Sequence, residues 1–217
     1  MTVKSTENQN YYSNVRGDIL ALIEGRGLKV LEVGCGSGST LLHAKSSGIA
    51  AKIVGVEYVP EVAKMAQQRG VKSIYTGDFS LAAKAILKKE GKFDVIIFGD
   101  VLEHMIDPWA AVAQAKSLLA DGGQVVASVP NFRYWRVMYN VFLRGDFRYT
   151  SDGIMDKTHL RFFCRKNIME MIGREYRIDR VYEALPKSGK ILKALSLGLL
   201  KEFGTLQYVV SARKTNH

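Results

Sequence analysis

The sequence predicts an α/β domain with a doubly wound, mostly parallel sheet. Three observations carry that expectation. Short runs rich in Val and Ile alternate with amphipathic stretches over the first two thirds of the chain, the pattern of βαβ units. The first run leads into three alternating glycines and then a helix start, a strand–loop–helix turn found in such sheets. The runs are bounded by Gly, Asp or Pro and are apolar throughout, as strands covered on both faces are.

Strands are expected at residues 29–33, 52–56, 73–75, 93–98 and 124–129, with helices at 39–46, 61–69, 81–88 and 108–119. Asp107 before Pro108 reads as an N-cap followed by proline at the first helical position, where a missing N–H is harmless. Asp121, Gly122 and Gly123 are a turn signal that ends this helix and leads into the fifth strand. Residues 131–163 then break the alternation with an aromatic, basic segment, expected to be an insert or lid. Its first part, 131–143, sets Trp135, Met138, Tyr139 and Phe142 at helical spacing along one face, suited either to a lid or to core packing. A helix at 165–174, a strand at 176–182, an amphipathic stretch at 190–203 and a strand at 206–212 follow. The result is a seven-stranded sheet whose last two strands form an antiparallel pair, within a single domain spanning 1–217.

With 217 residues, 47% hydrophobic and 24% charged, the chain has room for one sizeable core and a small insert. Cys35 and Cys164 lie far apart without metal-ligand spacing, which argues against a disulfide scaffold and a zinc site. The polar first residues carry no apolar signal segment, and no apolar run approaches the ~20 residues that span a bilayer. A cytoplasmic location is therefore expected. The net charge of +10 is uneven: residues 133–166 and 187–217 each hold a surplus of five basic residues, and the remainder balances. Such patches suit an anionic partner, or form a solvated face.

The most informative segment is Val30-Leu31-Glu32-Val33-Gly34-Cys35-Gly36-Ser37-Gly38-Ser39-Thr40. Residues without side chains let the backbone turn tightly and approach a ligand. The helix start beyond them offers unpaired N–H groups to a polar or anionic group. Glu57 ends the second strand, nineteen residues after Gly38, where a carboxylate can accept both hydroxyl protons of a ribose. The dinucleotide fingerprint G-x-G-x-x-G is not met, because the third glycine comes one position early and Ser39 stands where Gly or Ala is wanted.

Glu32 and the loop together resemble the first motif of class I S-adenosylmethionine-dependent methyltransferases, an acid followed by x-G-x-G-x-G. That resemblance implies a Rossmann-like sheet with S-adenosylmethionine at the strand-order reversal. It implies that Glu32 helps hold the cofactor's amino group while Gly34, Cys35, Gly36 and Gly38 pass beside its methionine and ribose. Glu57, with Tyr58 after it, falls on the ribose side, and Asp78 matches the position that contacts the adenine amino group, with Phe79 packing on the ring. Glu57 and Asp78 also stand where helix N-caps do. Gly99-Asp100-Val101-Leu102-Glu103-His104-Met105-Ile106-Asp107-Pro108 resembles the D-V-L-E-H-x-x-D-P segment of a small-molecule branch of the family, which implies that Gly99, Asp100 and Val101 line the methionine portion. Tyr11, Tyr12 and Arg16 resemble N-terminal residues that close over the cofactor. Residues 156–163, Asp-Lys-Thr-His-Leu-Arg-Phe-Phe, resemble a stretch in a subgroup associated with bacterial cell-surface saccharides.

Methyl transfer from a sulfonium leaves the protein to position the partners, exclude water and, for a hydroxyl acceptor, remove a proton. Imidazole suits that last task. Of the four histidines, His43 and His217 are poorly placed, and His104 borders the expected cleft as a general base or acceptor-orienting group. His159 is the second candidate, with Asp156 fixing its tautomer. Arg148, Arg161 and Tyr149 are expected to hold an anionic or hydroxyl-rich acceptor. No metal is needed in this reading; in an alternative carried by quinone-pathway relatives, Glu103 and His104 help hold a divalent ion.

The expected activity is methyl transfer to oxygen or nitrogen of a small-molecule or saccharide acceptor. An RNA methyltransferase would account for the pI of about 9.6, but the N-P-P-Y-type segment and the P-C nucleophile motif are missing, and no DNA partner is expected. A nicotinamide oxidoreductase shares Glu57 but misplaces the third glycine. A non-catalytic cofactor-binding protein would keep the loop without an acceptor pocket. Within 190–203, Ile191, Leu192, Leu195, Leu199 and Leu200 alternate with Lys190, Lys193 and Lys201, which fits either core packing or peripheral contact with an anionic membrane.

Overall fold

The computed structural model describes residues 14–214; Tyr11, Tyr12 and His217 lie outside the described residues. A short helix α1 (Gly17–Leu20) precedes β1 (Leu28–Val33), α2 (Ser39–Ser46), β2 (Ala50–Glu57), α3 (Pro60–Gln68), β3 (Ser73–Thr76), α4 (Phe79–Glu90) and β4 (Phe93–Gly99). A 3₁₀ turn (Leu102–His104), α5 (Pro108–Leu118) and β5 (Leu119–Pro130) follow. After α6 (Trp135–Met138) and a π-helical turn (Tyr139–Leu143) come α7 (Arg165–Gly173), β6 (Tyr176–Ala184), α8 (Lys187–Leu195), α9 (Lys201–Gly204) and β7 (Gln207–Lys214).

The seven strands form one sheet in the order β3-β2-β1-β4-β5-β7-β6. The first five are parallel, and β7 runs antiparallel to both β5 and β6. Period-two alternation divides the buried side chains between the faces. Leu31, Val33, Val54, Val56, Ile96 and Phe98 pack with the inward stripes of α4, α5 and α7, such as Phe79, Ala83 and Ile86. Val30, Ile53, Val95, Ile97, Val126 and Val209 pack with Ile19, Leu41, Ala44 and Ala66 from α1, α2 and α3. Both faces are covered, which is why the strands read as unbroken apolar runs.

The chain leaves β1 towards β2 and β3, then returns to place β4 on β1's other side, so the switch point lies between β1 and β4. Val33 pairs with both Val56 and Phe98. Gly34, Glu57 and Gly99 each follow one of these three, so all emerge at one level on the carboxyl edge of the sheet.

Three expectations need correction. Asp121, Gly122 and Gly123 do not separate a helix from a strand: β5 already begins at Leu119, and the register jumps from Phe93↔Leu119 to Val95↔Gln124. The turn residues are absorbed as a bulge within the strand. The 131–143 helix shortens to α6 plus the π turn, whose wider winding rotates the face. Tyr134 and Val137 are buried with Ile154, whereas Tyr139 and Phe142 are exposed. The 190–203 stretch, read as suited to core packing or membrane contact, is two helices joined by an exposed turn, and Ile191, Leu195, Leu199 and Leu200 stay out of the core. The other signals hold locally. The Asp107 Oδ1 atom accepts from Ala110 N at 2.9 Å, with Pro108 at the helix start. No helix among the described residues is long and apolar enough to cross a membrane.

Candidate active site

The glycine loop is fixed from below. Gly34 (φ +71°) lies so close to Val101 that an added Cβ would meet its Cγ2 at 2.7 Å, and a Cβ on Gly38 (φ +79°) would meet Val71 Cγ2 at 2.5 Å. Both positions combine a left-handed backbone with no room for a side chain. Gly34 N and Cys35 N donate to Val56 O at 2.8 and 3.0 Å. The buried Glu57 carboxylate takes Gly36 N on Oε2 and Val59 N on Oε1, each at 2.9 Å. Every carboxylate oxygen has more than one lone pair, so Glu57 braces the loop and retains acceptor capacity towards the crevice. The Cys35 side chain is buried below the loop, and its burial raises the thiol well above its ordinary value.

Glu32 is buried beneath the same loop, and its Oε2 has no hydrogen-bond partner among the described residues. Burial pushes its carboxyl up to about 8; the Arg16 cation opposes the shift and the neighbouring Glu57 adds to it. A buried carboxyl with an oxygen left without a donor is a site that an ammonium group would complete. Asp100, expected to face a ligand, is engaged by the protein instead. Its carboxylate bonds Arg16 and Gln207 and accepts from Ser128 Oγ at 3.1 Å, and its backbone is left-handed at φ +51°. What Asp100 offers the crevice is its backbone. Arg16 also reaches Asp18 and Ser128, each at 2.8 Å, so it belongs to the crevice floor.

An expected result follows from Glu32. Its free-chain value is 4.5 and its folded value about 8. Below pH 4.5 both states hold the proton and nothing is lost. Between the two values the unfolded chain deprotonates first, so stability declines as pH rises. Glu32→Gln should therefore raise the melting temperature of cofactor-free protein near pH 8 by ~5 °C, and flatten its decline. Glu103 titrates in the same window, so the double variant with Glu103→Gln should be flatter still. Melting curves from about pH 5 to about pH 9 with wild-type slope in both variants would remove this electrostatic account.

Beyond β3, where the sequence resemblance sets the adenine, Asp78 caps α4 by accepting from Ser80 N at 2.7 Å and Leu81 N at 3.3 Å. Phe79 does not present its ring there: it is 3% exposed and meets Phe98 edge-on at 5.9 Å. As the first member of α4's inward stripe, it is claimed by the core. Tyr58, directly after Glu57, is 72% exposed and is the free aromatic at this edge.

Beside the crevice, two distant segments meet. Leu160 N and Arg161 N donate to Glu103 O at 2.8 and 3.0 Å, docking the 131–163 segment on the 3₁₀ turn after β4. This brings the His104 and His159 rings edge to face with centroids 4.6 Å apart. Asp156 does not orient His159, as its spacing implied. Its Oδ1 accepts from Thr158 N and Thr158 Oγ1, both at 2.7 Å, because the tight turn at 156–158 points it back on its own backbone. The Thr158 hydroxyl also lies 3.1 Å from His104 Nδ1 and its carbonyl 3.2 Å away. His159 Nδ1 sits 2.9 Å from Ile154 O. A carbonyl only accepts, so Nδ1 is the nitrogen that donates in each ring, and in a neutral ring Nε2 keeps the lone pair. Burial, then the neighbouring His159, holds His104 below the ordinary 6.5. For Asp156, burial acts upward but the Thr158 hydroxyl and N–H outweigh it and lower the carboxyl.

Thr158, Gln207 and Ser128 are site residues that sequence reasoning missed; Thr158 lies inside the quoted 156–163 motif, whereas the other two carry no local signal. Arg148 pairs with Asp146 at 2.7 Å, and Arg161 donates to Ile106 O at 2.6 Å, so neither guanidinium is simply free for an acceptor. Beside them, Val137, Arg144, Arg148, Tyr149, Thr150 and Met155 line a recess of about 370 Å³. Glu103 is 2% exposed, neither carboxylate oxygen finds a partner in another described residue, and burial raises it to about 8. One ligand atom from each of Glu103, His104 and His159 lies within 4.8 Å of the others.

Comparison with known proteins agrees with this geometry. The family model for the methyltransferase domain matches residues 8–174. Ubiquinone biosynthesis O-methyltransferase of Xanthomonas axonopodis pv. citri (strain 306) is 32% identical over 115 residues, which cover 52% of this chain and 47% of that protein. The chain thus spans about half the length of the curated relatives it matches. Among solved structures, an S-adenosylmethionine-dependent methyltransferase from Archaeoglobus fulgidus superposes with TM-score 0.66 at 17% identity, covering 95% of this chain and 94% of that one. The N-methyltransferase NodS from Bradyrhizobium japonicum WM9, in complex with S-adenosyl-L-homocysteine, superposes with TM-score 0.59 at 15% identity, covering 99% and 91%. With the glycine loop, its two buried carboxylates and the strand-order reversal at one crevice, the chain belongs to the methyltransferase domain family.

Proposed function

We propose that the acceptor is a small molecule methylated at a hydroxyl oxygen, with His104 as the base. The observation that carries this reading is the His104 imidazole, held neutral by burial and by the neighbouring His159 and tethered through Nδ1 to Thr158, with Nε2 free to take a proton. S-adenosylmethionine would supply, when bound, a methyl on a sulfonium whose sulfur departs as a neutral thioether and needs no acid help. The residues then have separable tasks. Glu57 receives the ribose hydroxyls, Glu32 the ammonium, and Gly34, Cys35, Gly36, Gly38, Gly99, Asp100 and Val101 shape the methionine channel. Asp78 and Tyr58 border the adenine. Asp156 and Thr158 position His104, while His159 walls the acceptor side together with the aromatic cluster of Phe132, Phe147, Tyr149 and Phe162. Arg144, exposed on the recess, favours an acceptor with an anionic or hydroxyl-rich portion, a saccharide included.

One observation favours a second reading. Glu103 is a buried carboxyl with no side-chain partner among the described residues, beside two imidazole nitrogens, a donor set suited to a divalent transition ion. Both imidazoles give their other nitrogen to a backbone carbonyl, as ligating histidines do. Glu103, His104 and His159 would hold such an ion, which would polarise the acceptor hydroxyl. Methyl transfer from labelled S-adenosylmethionine to a panel of phenols, catechols and sugars, run with and without a chelator, separates the two. Turnover of hydroxyl acceptors that withstands chelation supports His104 as base, and turnover lost to chelator and restored by added ion supports the metal. Transfer only to nucleic acid would sink both.

A further inference from the structure

We propose that residues 187–199 form a peripheral docking surface for an anionic lipid bilayer. The inference goes beyond the methyl-transfer reading and stands without it. Leu195, Leu197 and Leu199 are 82, 93 and 88% exposed, and Ile191 is exposed one turn before Leu195. These are large apolar side chains held outward by a firm base rather than by slack chain. The Ser196 hydroxyl donates to Leu192 O at 2.7 Å and accepts from Leu200 N at 3.1 Å. Leu197 and Gly198 both take left-handed conformations, φ +50° and +88°, which turn the chain back and leave the leucines on its tip. Behind them, α8 is seated by the close backbone approach of Gly189 to Gly204, where an added Cβ would strike the Gly204 carbonyl. Tyr134 OH lies 3.1 Å from Ser188 Oγ, tying α8 to the segment that carries the acceptor side.

Charge selects the occupant. At 100° per residue, Ile191 and Leu195 lie on one side of α8's exposed arc and Lys190 and Lys193 on the other, with Lys187 between. None of the three lysines has an ion pair among the described residues, whereas Lys201 on α9 is paired with Glu183. Leucines on a projecting turn, flanked by unpaired lysines whose stems can rest on apolar surface, match the boundary between acyl chains and anionic headgroups. The patch is a convex tip rather than a groove, which suits a deformable surface better than a second folded chain.

Vesicle co-sedimentation tests this with the whole chain. Vesicles of phosphatidylcholine containing about one third phosphatidylglycerol should bind at least ~10-fold more tightly than phosphatidylcholine alone, and added salt should weaken the binding. The triple variant Leu195→Ser/Leu197→Ser/Leu199→Ser and the triple variant Lys187→Glu/Lys190→Glu/Lys193→Glu should each lose ~10-fold or more. Melting temperature and S-adenosylhomocysteine affinity should stay at wild-type values in both, since the residues are exposed and outside the cofactor crevice. No binding to either vesicle, equal binding to both, or wild-type binding by the leucine variant overturns the proposal. A concentration-dependent dimer in sedimentation velocity, dissolved by the leucine variant, overturns it too and assigns the tip to a second copy of the chain.

Discussion

Replacing His104 with alanine is expected to lower kcat by ~10²–10⁴-fold while S-adenosylhomocysteine binds as before. The reason lies in where the ring is tethered. His104 meets the protein through Nδ1, at Thr158, and through an edge contact with His159, so its loss leaves the glycine loop untouched. A base must be unprotonated to act, and His104 is held below 6.5. The acid limb of kcat should therefore fall at a pH below 6.5, with activity retained above it. Asp156 raises His104 through its charge, a smaller effect than the burial that lowers it. Asp156→Asn should then move the acid limb to still lower pH, along with a loss of ~10-fold in rate. A purely structural Asp156 would cost stability without moving the limb. Full activity in His104→Ala would remove the base and turn attention to His159.

Glu57→Ala should weaken S-adenosylhomocysteine binding by ~10²–10⁴-fold, because two hydrogen bonds to a charged group are worth ~3–6 kcal/mol together. The effect has two parts. The ribose loses its carboxylate, and Gly36 N and Val59 N lose the acceptors that hold them at 2.9 Å. Glu57→Gln separates these parts, since its amide keeps one oxygen for an N–H but turns an NH₂ towards the other. Its affinity should fall between wild type and Glu57→Ala. Calorimetric titration reads all three directly. Near-wild-type affinity in Glu57→Ala would show that the cofactor lies elsewhere.

How much of this was legible in the sequence follows from the range of the forces involved. The strands and helices of the first two thirds come from local alternation, and β1 to β4 and α2 to α5 fall within about two residues of their expected ends. Asp107 with Pro108 marked a helix start because a cap acts over three residues. The 131–143 helix misled because a π turn adds a residue within the helix and so rotates every later side chain. Asp156 misled because spacing cannot say whether a carboxylate turns to a neighbouring ring or to its own backbone two residues on.

The sequence by itself determined the doubly wound sheet, the bare-backbone loop at the end of β1 and the acids that follow two of the strands, since each depends on neighbours along the chain. Only the tertiary structure decided that Asp100 is spent on Arg16 and Gln207, that Phe79 belongs to the core, and that Thr158 stands between Asp156 and His104. Those outcomes turn on partners distant in sequence, such as His104 and Thr158, 54 positions apart, and Asp100 and Gln207, 107 positions apart. Contacts of that kind are selected by how packed elements meet, and a linear pattern carries no record of them.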